Sequence, residues 1–393
     1  MRRVVWPLID VPGGWTGRTN YLRNLAKAIA SLPSPRIEIL LTGSGRAGTD
    51  ALDAPLNSFP VLRLPHLRRF SPHWWISKLT ARVSSNGGLL ASALADHGVS
   101  LWAYGPPLGR RSRVPALCWI SDFQDIYLPE FFTPEERRAK SANNAHTAAT
   151  AQAIVLSSAD AHADFCRLFP EEAHKARILR FVADIPPESV LPPGDAVLRE
   201  YDISEPYFHV PNQLWAHKNH RLILDALLRL KKDGLCPLVV STGLMSDSRD
   251  PAFPERLLDA VRAAGFSERF RFLGLVPFAH LAVLMRKSLA LINPSRFEGW
   301  STTVEEAKSL GKRILLSSLD VHREQAPPRG LFFDTDDAEG LAERMRAVLG
   351  EYDPEIERAA TEEACALLPG RLRAYGEAYE ELALSVITGS AKS

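Results

Sequence analysis

Short apolar runs alternate with helical patterns along most of this chain, and that alternation constrains the fold more than any other feature. Residues 4–9 and 37–42 read as strands with a helix over 19–31 between them, and 101–104, 116–120 and 153–157 read as further strands. A second alternating block follows, with strands at 207–210, 238–242, 270–273, 290–293 and 313–318. Its helices are expected at 220–233, 254–264, 278–286, 303–310 and 338–349. Strands separated by helices pair in parallel, with helices covering both faces of the sheet. The expected class is α/β, with two Rossmann-like parallel-sheet domains facing a deep cleft. Ligands of such sheets sit at loops leaving the carboxyl ends of strands.

Length supports the division. At 393 residues the chain is two to three times a typical domain. Prolines and glycine crowd 185–206 (Pro186-Pro187, Pro192-Pro193-Gly194, Pro206), the composition of a linker. The expected boundaries are 1–190, a linker at 191–206, a second domain at 207–353, and helices at 354–393 that either pack on the second domain or cross back to the first. Content of 46% hydrophobic and 24% charged residues is that of an ordinary globular protein, and a formal net charge of +1 argues against a nucleic-acid partner. Cys118, Cys166, Cys236 and Cys365 form no CxxC pair, so reduced thiols are expected rather than a disulfide frame or a metal site. No apolar run is long enough to span a bilayer, and the apolar segment after Met1-Arg2-Arg3 is short and ends at Asp10, which reads as a strand rather than a signal peptide. The expected location is cytoplasmic, with peripheral contact at the inner face of the membrane as the alternative to a freely dissolved protein.

The densest chemistry lies in Ser295-Arg296-Phe297-Glu298-Gly299-Trp300-Ser301-Thr302-Thr303-Val304-Glu305-Glu306. Glu298 and Glu306 flank a turn running into a helix start. Free backbone N–H groups and the helix dipole there suit a phosphate, while carboxylates accept hydrogen bonds from sugar hydroxyls. A capping box explains part of the pattern without a ligand: Thr302 with Glu305, or Thr303 with Glu306. It leaves Glu298 unexplained. A second loop, Val210 to Arg221, brings Lys218 to a helix start, where an ammonium would neutralise a departing diphosphate. His217, His220 and Arg221 are further potential donors there.

Three other stretches are candidates. Gly13 and Gly14, after the first strand, allow close backbone approach to a ligand, though a bare turn accounts for them equally. Asp122 and Asp125 follow a first-domain strand and could polarise an acceptor hydroxyl, or simply cap a turn. Residues 67–82 interleave bases with Trp74 and Trp75; a packed helix explains this more simply than an anionic membrane does.

The second block resembles the retaining GT-B glycosyltransferases of family 4 (glycosyl transferases group 1). The resemblance rests on Asn212-Gln213-Leu214-Trp215-Ala216-His217-Lys218-Asn219-His220, on Pro294-Ser295 leading into Glu298-x7-Glu306, and on Phe332-Phe333-Asp334. A looser likeness extends to Gly13-Gly14, Asp122-Phe123-Gln124 and Leu128-Pro129-Glu130-Phe131-Phe132. It implies a nucleoside-diphosphate sugar (GDP- or UDP-linked) as donor and a saccharide or lipid-linked saccharide as acceptor. Lys218, Glu298 and Asp122 would be catalytic. Gly13, Gly14, His217, Lys218, Glu298, Gly299, Ser301, Thr302, Thr303 and Glu306 would bind the donor: Glu298 the sugar, Glu306 the ribose hydroxyls, and the backbone of 301–303 the diphosphate. No cofactor or metal is implied. Many members carry an arginine five residues before the lysine; this chain has Gln213, with His217, Arg221 or Arg296 as candidate replacements for the charge. Asp125 stands where relatives often have histidine. Rival readings are an epimerase-like enzyme acting on sugar nucleotides, or a degenerate nucleotide-sugar-binding scaffold.

Overall fold

The structure is a computed structural model describing residues 1–8, 16–43, 55–64 and 88–390. The described chain forms two compact units. One comprises 1–123, 134–182 and 370–393; the other comprises 124–133 and 183–369.

The first unit is a six-stranded sheet built from β1 (Arg2–Leu8), β2 (Ile37–Gly43), β3 (Val99–Ala103), β4 (Ala116–Trp119), β5 (Ala153–Leu156) and β6 (Ala176–Ile178). Their order is β2-β1-β3-β4-β5-β6, and every pairing is parallel. The central strands read as apolar runs because both faces are covered: Val5, Trp102, Cys118, Ile154 and Leu156 are buried among Leu94, Ala148 and Phe165 from the helices. β3 stops before Tyr104, expected inside it, because Tyr104 turns to a φ of +62°. The last part of the terminal helix, Pro354–Ser390, belongs to this unit. There Trp6 Nε1 donates to the Tyr379 hydroxyl at 2.7 Å, and Arg36 Nε meets Glu380 at 2.7 Å.

The second unit carries β7 (Tyr207–Val210), β8 (Leu238–Ser241), β9 (Phe270–Phe272), β10 (Ala290–Asn293), β11 (Ile314–Ser317) and β12 (Gly330–Phe333). Their order is β12-β11-β10-β7-β8-β9, again all parallel. The four inner strands are buried along their whole length. The helix His220–Lys232 buries Leu222, Ile223, Ala226, Leu227 and Leu230 along one side. It carries Arg229, Lys231 and Lys232 in its last turn, where cations complement the dipole. Within 191–206, where a linker is expected, the structure holds the helix Gly194–Glu200; Val197 and Ile203 are buried with Tyr207 and Val283 in this unit. Among the described residues no helix is long and apolar enough to cross a membrane.

Candidate functional site

The site grows from the carboxyl ends of two adjacent strands, β10 and β7. After β10 the chain turns through 294–301 into the helix Thr302–Leu310. Buried side chains fix this turn: Asn293 Nδ2 donates to Ser301 Oγ at 2.8 Å, and Ser317 Oγ donates to the Ser295 carbonyl at 2.5 Å. Ser295 Oγ lies 2.6 Å from Asn293 Oδ1 and 2.7 Å from Glu298 Oε1, one hydroxyl proton facing two acceptors.

Neither expected capping box forms. Ser301 is the N-cap, with extended backbone and Oγ accepting from Val304 N at 3.4 Å. The helix therefore starts at Thr302, one residue early, which puts Val304 rather than a glutamate at the third helical position. Glu305 instead meets Lys308 Nζ at 3.0 Å and Gln325 Nε2 at 3.1 Å. Gln325 also brackets Ser301, accepting from its N–H at 3.0 Å and donating to its carbonyl at 2.9 Å. The N–H groups of Thr302 and Thr303 find no partner among the described residues. Glu306 is buried, and burial pushes its carboxyl up to about 8.

After β7 the chain closes one turn at Ala216–Lys218, then passes through Asn219 in the left-handed region (φ +57°) into the helix His220–Lys232. Gly243, at the end of β8, has φ +141°, and a Cβ there would lie 2.5 Å from the Asn212 carbonyl; only glycine lets the two loops close together. Lys218 Nζ reaches Glu298 Oε1 at 2.7 Å, with both side chains largely buried. Burial raises the Glu298 carboxyl, but the Lys218 ammonium, the His322 ring and hydrogen bonds from Lys218 and Ser295 outweigh it and hold the group below its ordinary value. The Arg296 N–H donates to the His217 carbonyl at 2.8 Å, joining the two loops through their backbones. Lys218, Glu298, His217, Gly299, Ser301, Thr302, Thr303 and Glu306 thus come from two neighbouring loops and one helix start of the same unit.

The potential donors expected around Lys218 differ in charge and exposure. His217 and His220 are buried, and burial, reinforced by Lys218, lowers both rings far enough to keep them neutral, His220 to about 3. Arg221 is exposed and paired with Asp225 at 3.0 Å. Arg296 pairs with Asp336 at 2.8 Å. Gln213 keeps its amide oxygen buried without a hydrogen-bond partner among the described residues.

Two residues escaped the sequence reading. Arg249, on the loop after β8, is packed over the rings of Trp215 and Phe132 at 5.2 and 5.0 Å, and donates to Gln124 Oε1 at 2.9 Å and His217 Nδ1 at 3.3 Å. His322, in the helix Asp320–Gln325, is fully buried; its Nδ1 lies 2.9 Å from the Ser317 carbonyl, and burial lowers it against the pull of Glu298. Only its place just after β11, at a strand's carboxyl end, could have flagged it. Asp122 belongs to the first unit, where Lys140 reaches it at 2.8 Å and Ser121 Oγ donates to it at 3.0 Å. Asp125 is buried in the short helix Gln124–Tyr127 of the second unit. Gly13, Gly14, Trp74 and Trp75 lie outside the described residues. Among the described residues, no group of three or more His, Cys, Asp or Glu could hold a metal ion.

Two parallel six-stranded sheets, one with a lysine–glutamate pair beside a helix start, define the GT-B class of fold. Solved structures agree. Anabaena HepE in complex with UDP and glucose superposes at a TM-score of 0.70 with 16% identity, covering 98% of this chain and 100% of that one. Sucrose-phosphate synthase from Thermosynechococcus elongatus gives 0.70 at 14% identity, with the same coverage. WaaG, a glycosyltransferase involved in lipopolysaccharide biosynthesis, gives 0.63 at 16% identity, also covering 98% and 100%. No curated protein matches the sequence. Residues 201–364, the segment holding Lys218, Glu298 and Glu306, match the family model of glycosyl transferases group 1.

Proposed function

We propose that the protein moves a sugar, with retention, from a UDP- or GDP-linked donor to a saccharide or lipid-linked saccharide in cell-surface glycan synthesis. The observation that carries this reading is the buried Lys218–Glu298 pair near the N–H groups of Thr302 and Thr303, which have no partner among the described residues. Those N–H groups and the dipole of the following helix would bind the diphosphate, with Lys218 neutralising the charge that develops as it leaves. Glu298 would accept from the donor sugar, and Glu306 from the ribose. The bond from the anomeric carbon to the phosphate oxygen breaks, the acceptor oxygen bonds the same face of that carbon, and its proton passes to the departing phosphate. No protein nucleophile is required. The second unit would hold the nucleotide sugar and the first the acceptor, with Asp122 set toward the acceptor hydroxyl. The proposed location is the cytoplasm, with contact at the inner face of the membrane through the basic and aromatic stretch 67–82 as the secondary reading.

The test is product analysis by NMR after incubation with UDP-glucose, UDP-galactose or GDP-mannose and a panel of saccharide acceptors. Acceptor-dependent release of the nucleoside diphosphate with a retained anomeric configuration supports the reading. Conversion of donor without acceptor would mean an epimerase-like activity. Gln213, standing where a charge is missing, favours one further alternative, a scaffold that binds the donor tightly without turnover.

A further inference from the structure

The imidazole of His217 is flanked by Lys218 on its own loop and by Arg249 from the loop after β8. Arg249 Nη2 is 3.3 Å from His217 Nδ1. A guanidinium has donors and no acceptor and does not lose its proton in proteins. Nδ1 must therefore offer a lone pair, which places the ring's single proton on Nε2. Arg249 itself is fixed from several directions. Its Nη1 donates to Gln124 Oε1 at 2.9 Å, and its plane packs over Trp215 and Phe132. Its own N–H donates to Asp247 Oδ1 at 3.0 Å, while Asp247 Oδ2 accepts from Ala216 N at 3.0 Å, one residue before His217. The ring of His217 is further hemmed by Trp215 and Phe131, with centroids at 5.6 and 6.4 Å. Its carbonyl is held by Arg296 N. Nε2 has no hydrogen-bond partner among the described residues.

We propose that Arg249 is a positioning residue that fixes His217 as the neutral Nε2–H tautomer, giving the site one oriented, uncharged donor for an oxygen of the bound nucleotide sugar. The ligand half rests on the function proposed above; the tautomer does not. The charged and titratable groups around this ring are Lys218 and His220 on its own loop, Arg249 and Asp247 on the loop after β8, and Arg296 after β10. Lys218 and Arg249 both oppose a second proton, so the donor keeps the same charge state across the physiological range. A free imidazole would divide its proton between two nitrogens and titrate near pH ~6.5. The charge missing at Gln213 is thus not replaced like for like: a guanidinium from another loop instead sets the proton position on a neutral ring.

The experiment is long-range proton–nitrogen NMR on the full chain with nitrogen-labelled histidine, the His217 signals being assigned by their loss in His217→Asn. The expected pattern is a single Nε2–H tautomer unchanged between about pH 5.5 and 8, a window that spans the titration of a free imidazole. In Arg249→Met the same signals should become a tautomer mixture that titrates. Arg249→Lys keeps the cation but loses the fork, so it should release the tautomer while still resisting protonation. An Nδ1–H pattern, or a titrating ring, in the parent protein overturns the proposal without any variant having to fold. Adding UDP or GDP then tests the ligand half. A shift at Nε2 on binding, with donor KM raised roughly tenfold in Arg249→Met and kcat changed less, supports it. Nucleotide binding that leaves His217 unmoved overturns the ligand half alone. No binding of either nucleotide, with the tautomer as expected, overturns instead the function on which that half rests.

Discussion

Replacing Lys218 by methionine tests the central pair by stability as well as by catalysis. The ammonium lies 2.7 Å from Glu298, and the side chains are 14% and 9% exposed. At an effective dielectric of about 20, charges that close attract by ~6 kcal/mol. Desolvation consumes much of this, yet removing one partner strands the other, at a cost of about 3–5 kcal/mol. For a unit of this size that corresponds to a fall in Tm of roughly 6–20 °C. The pH dependence should reverse as well. In the parent protein the Glu298 carboxyl sits below its unfolded value, so its contribution is present at neutral pH and is lost as pH falls through the folded pKa. Without Lys218, burial dominates and the carboxyl rises above its unfolded value. The variant then loses stability as pH rises from that unfolded value. Calorimetry from about pH 4 to 8 on the parent, Lys218→Met, Glu298→Gln and the double variant measures all of this, and the double variant should recover most of the loss. Additive single effects, with Tm–pH slopes of the same sign in parent and Lys218→Met, would refute the reasoning.

Lys218→Ala and Glu298→Gln should each lose most transfer activity with saturating donor and acceptor; turnover of Lys218→Ala at the parent rate would remove the leaving-group role. Glu306→Gln should flatten the stability profile: the raised carboxyl contributes fully below its unfolded value and loses that contribution as pH climbs through about 8, so the parent should fall by ~3.5 kcal/mol more than the variant between about pH 5 and 8. A matching profile in both proteins would place Glu306 in contact with water. Ser301→Ala should cost about 1 kcal/mol as a lost cap, read by denaturant unfolding. Gly311→Ala should cost at least as much, because that residue closes the helix at φ +65° and a Cβ there would press on the Ala360 carbonyl.

The strands of the second unit were legible because burial on both faces leaves an apolar run with sharp ends; 207–210 and 290–293 coincide with β7 and β10. β12 was not read as a strand, since an edge strand is only partly covered and Gly330–Phe333 has no polar alternation to mark it. The site was legible where local sequence positions its parts: Lys218 and Glu298 each follow a strand by a short loop. It was not legible where tertiary packing decides. Nothing local separates the Ser301 cap from Thr302 or Thr303, and the choice depends on Asn293 and Gln325 reaching Ser301 from other elements. Arg249 lies in Ser246-Asp247-Ser248-Arg249-Asp250-Pro251, which reads as a polar loop. Its role exists only because Trp215, His217, Gln124 and Phe132 converge on it.

The same packing changes how the site meets its charge requirement. The sequence offered His217, His220 and Arg221 as donors around a diphosphate, alongside Lys218. Burial neutralises His217 and His220, and Arg221 turns to Asp225. Of that group Lys218 remains in the site, and Glu298 already pairs with it. On the proposed function, a diphosphate arriving at Thr302 and Thr303 would share the ammonium with Glu298 or draw it away, and a carboxylate buried at that depth would gain a strong preference for new donors. Sugar hydroxyls are such donors. On this argument the two halves of the donor substrate are coupled through one ion pair: phosphate binding at Lys218 strengthens sugar binding at Glu298. Nucleoside diphosphate alone should then bind Glu298→Gln at least as tightly as it binds the parent, whereas the intact nucleotide sugar should bind it more weakly. Calorimetric titration of both ligands into both proteins measures the difference, and an equal loss for the two ligands would show that Glu298 serves the turn rather than the sugar.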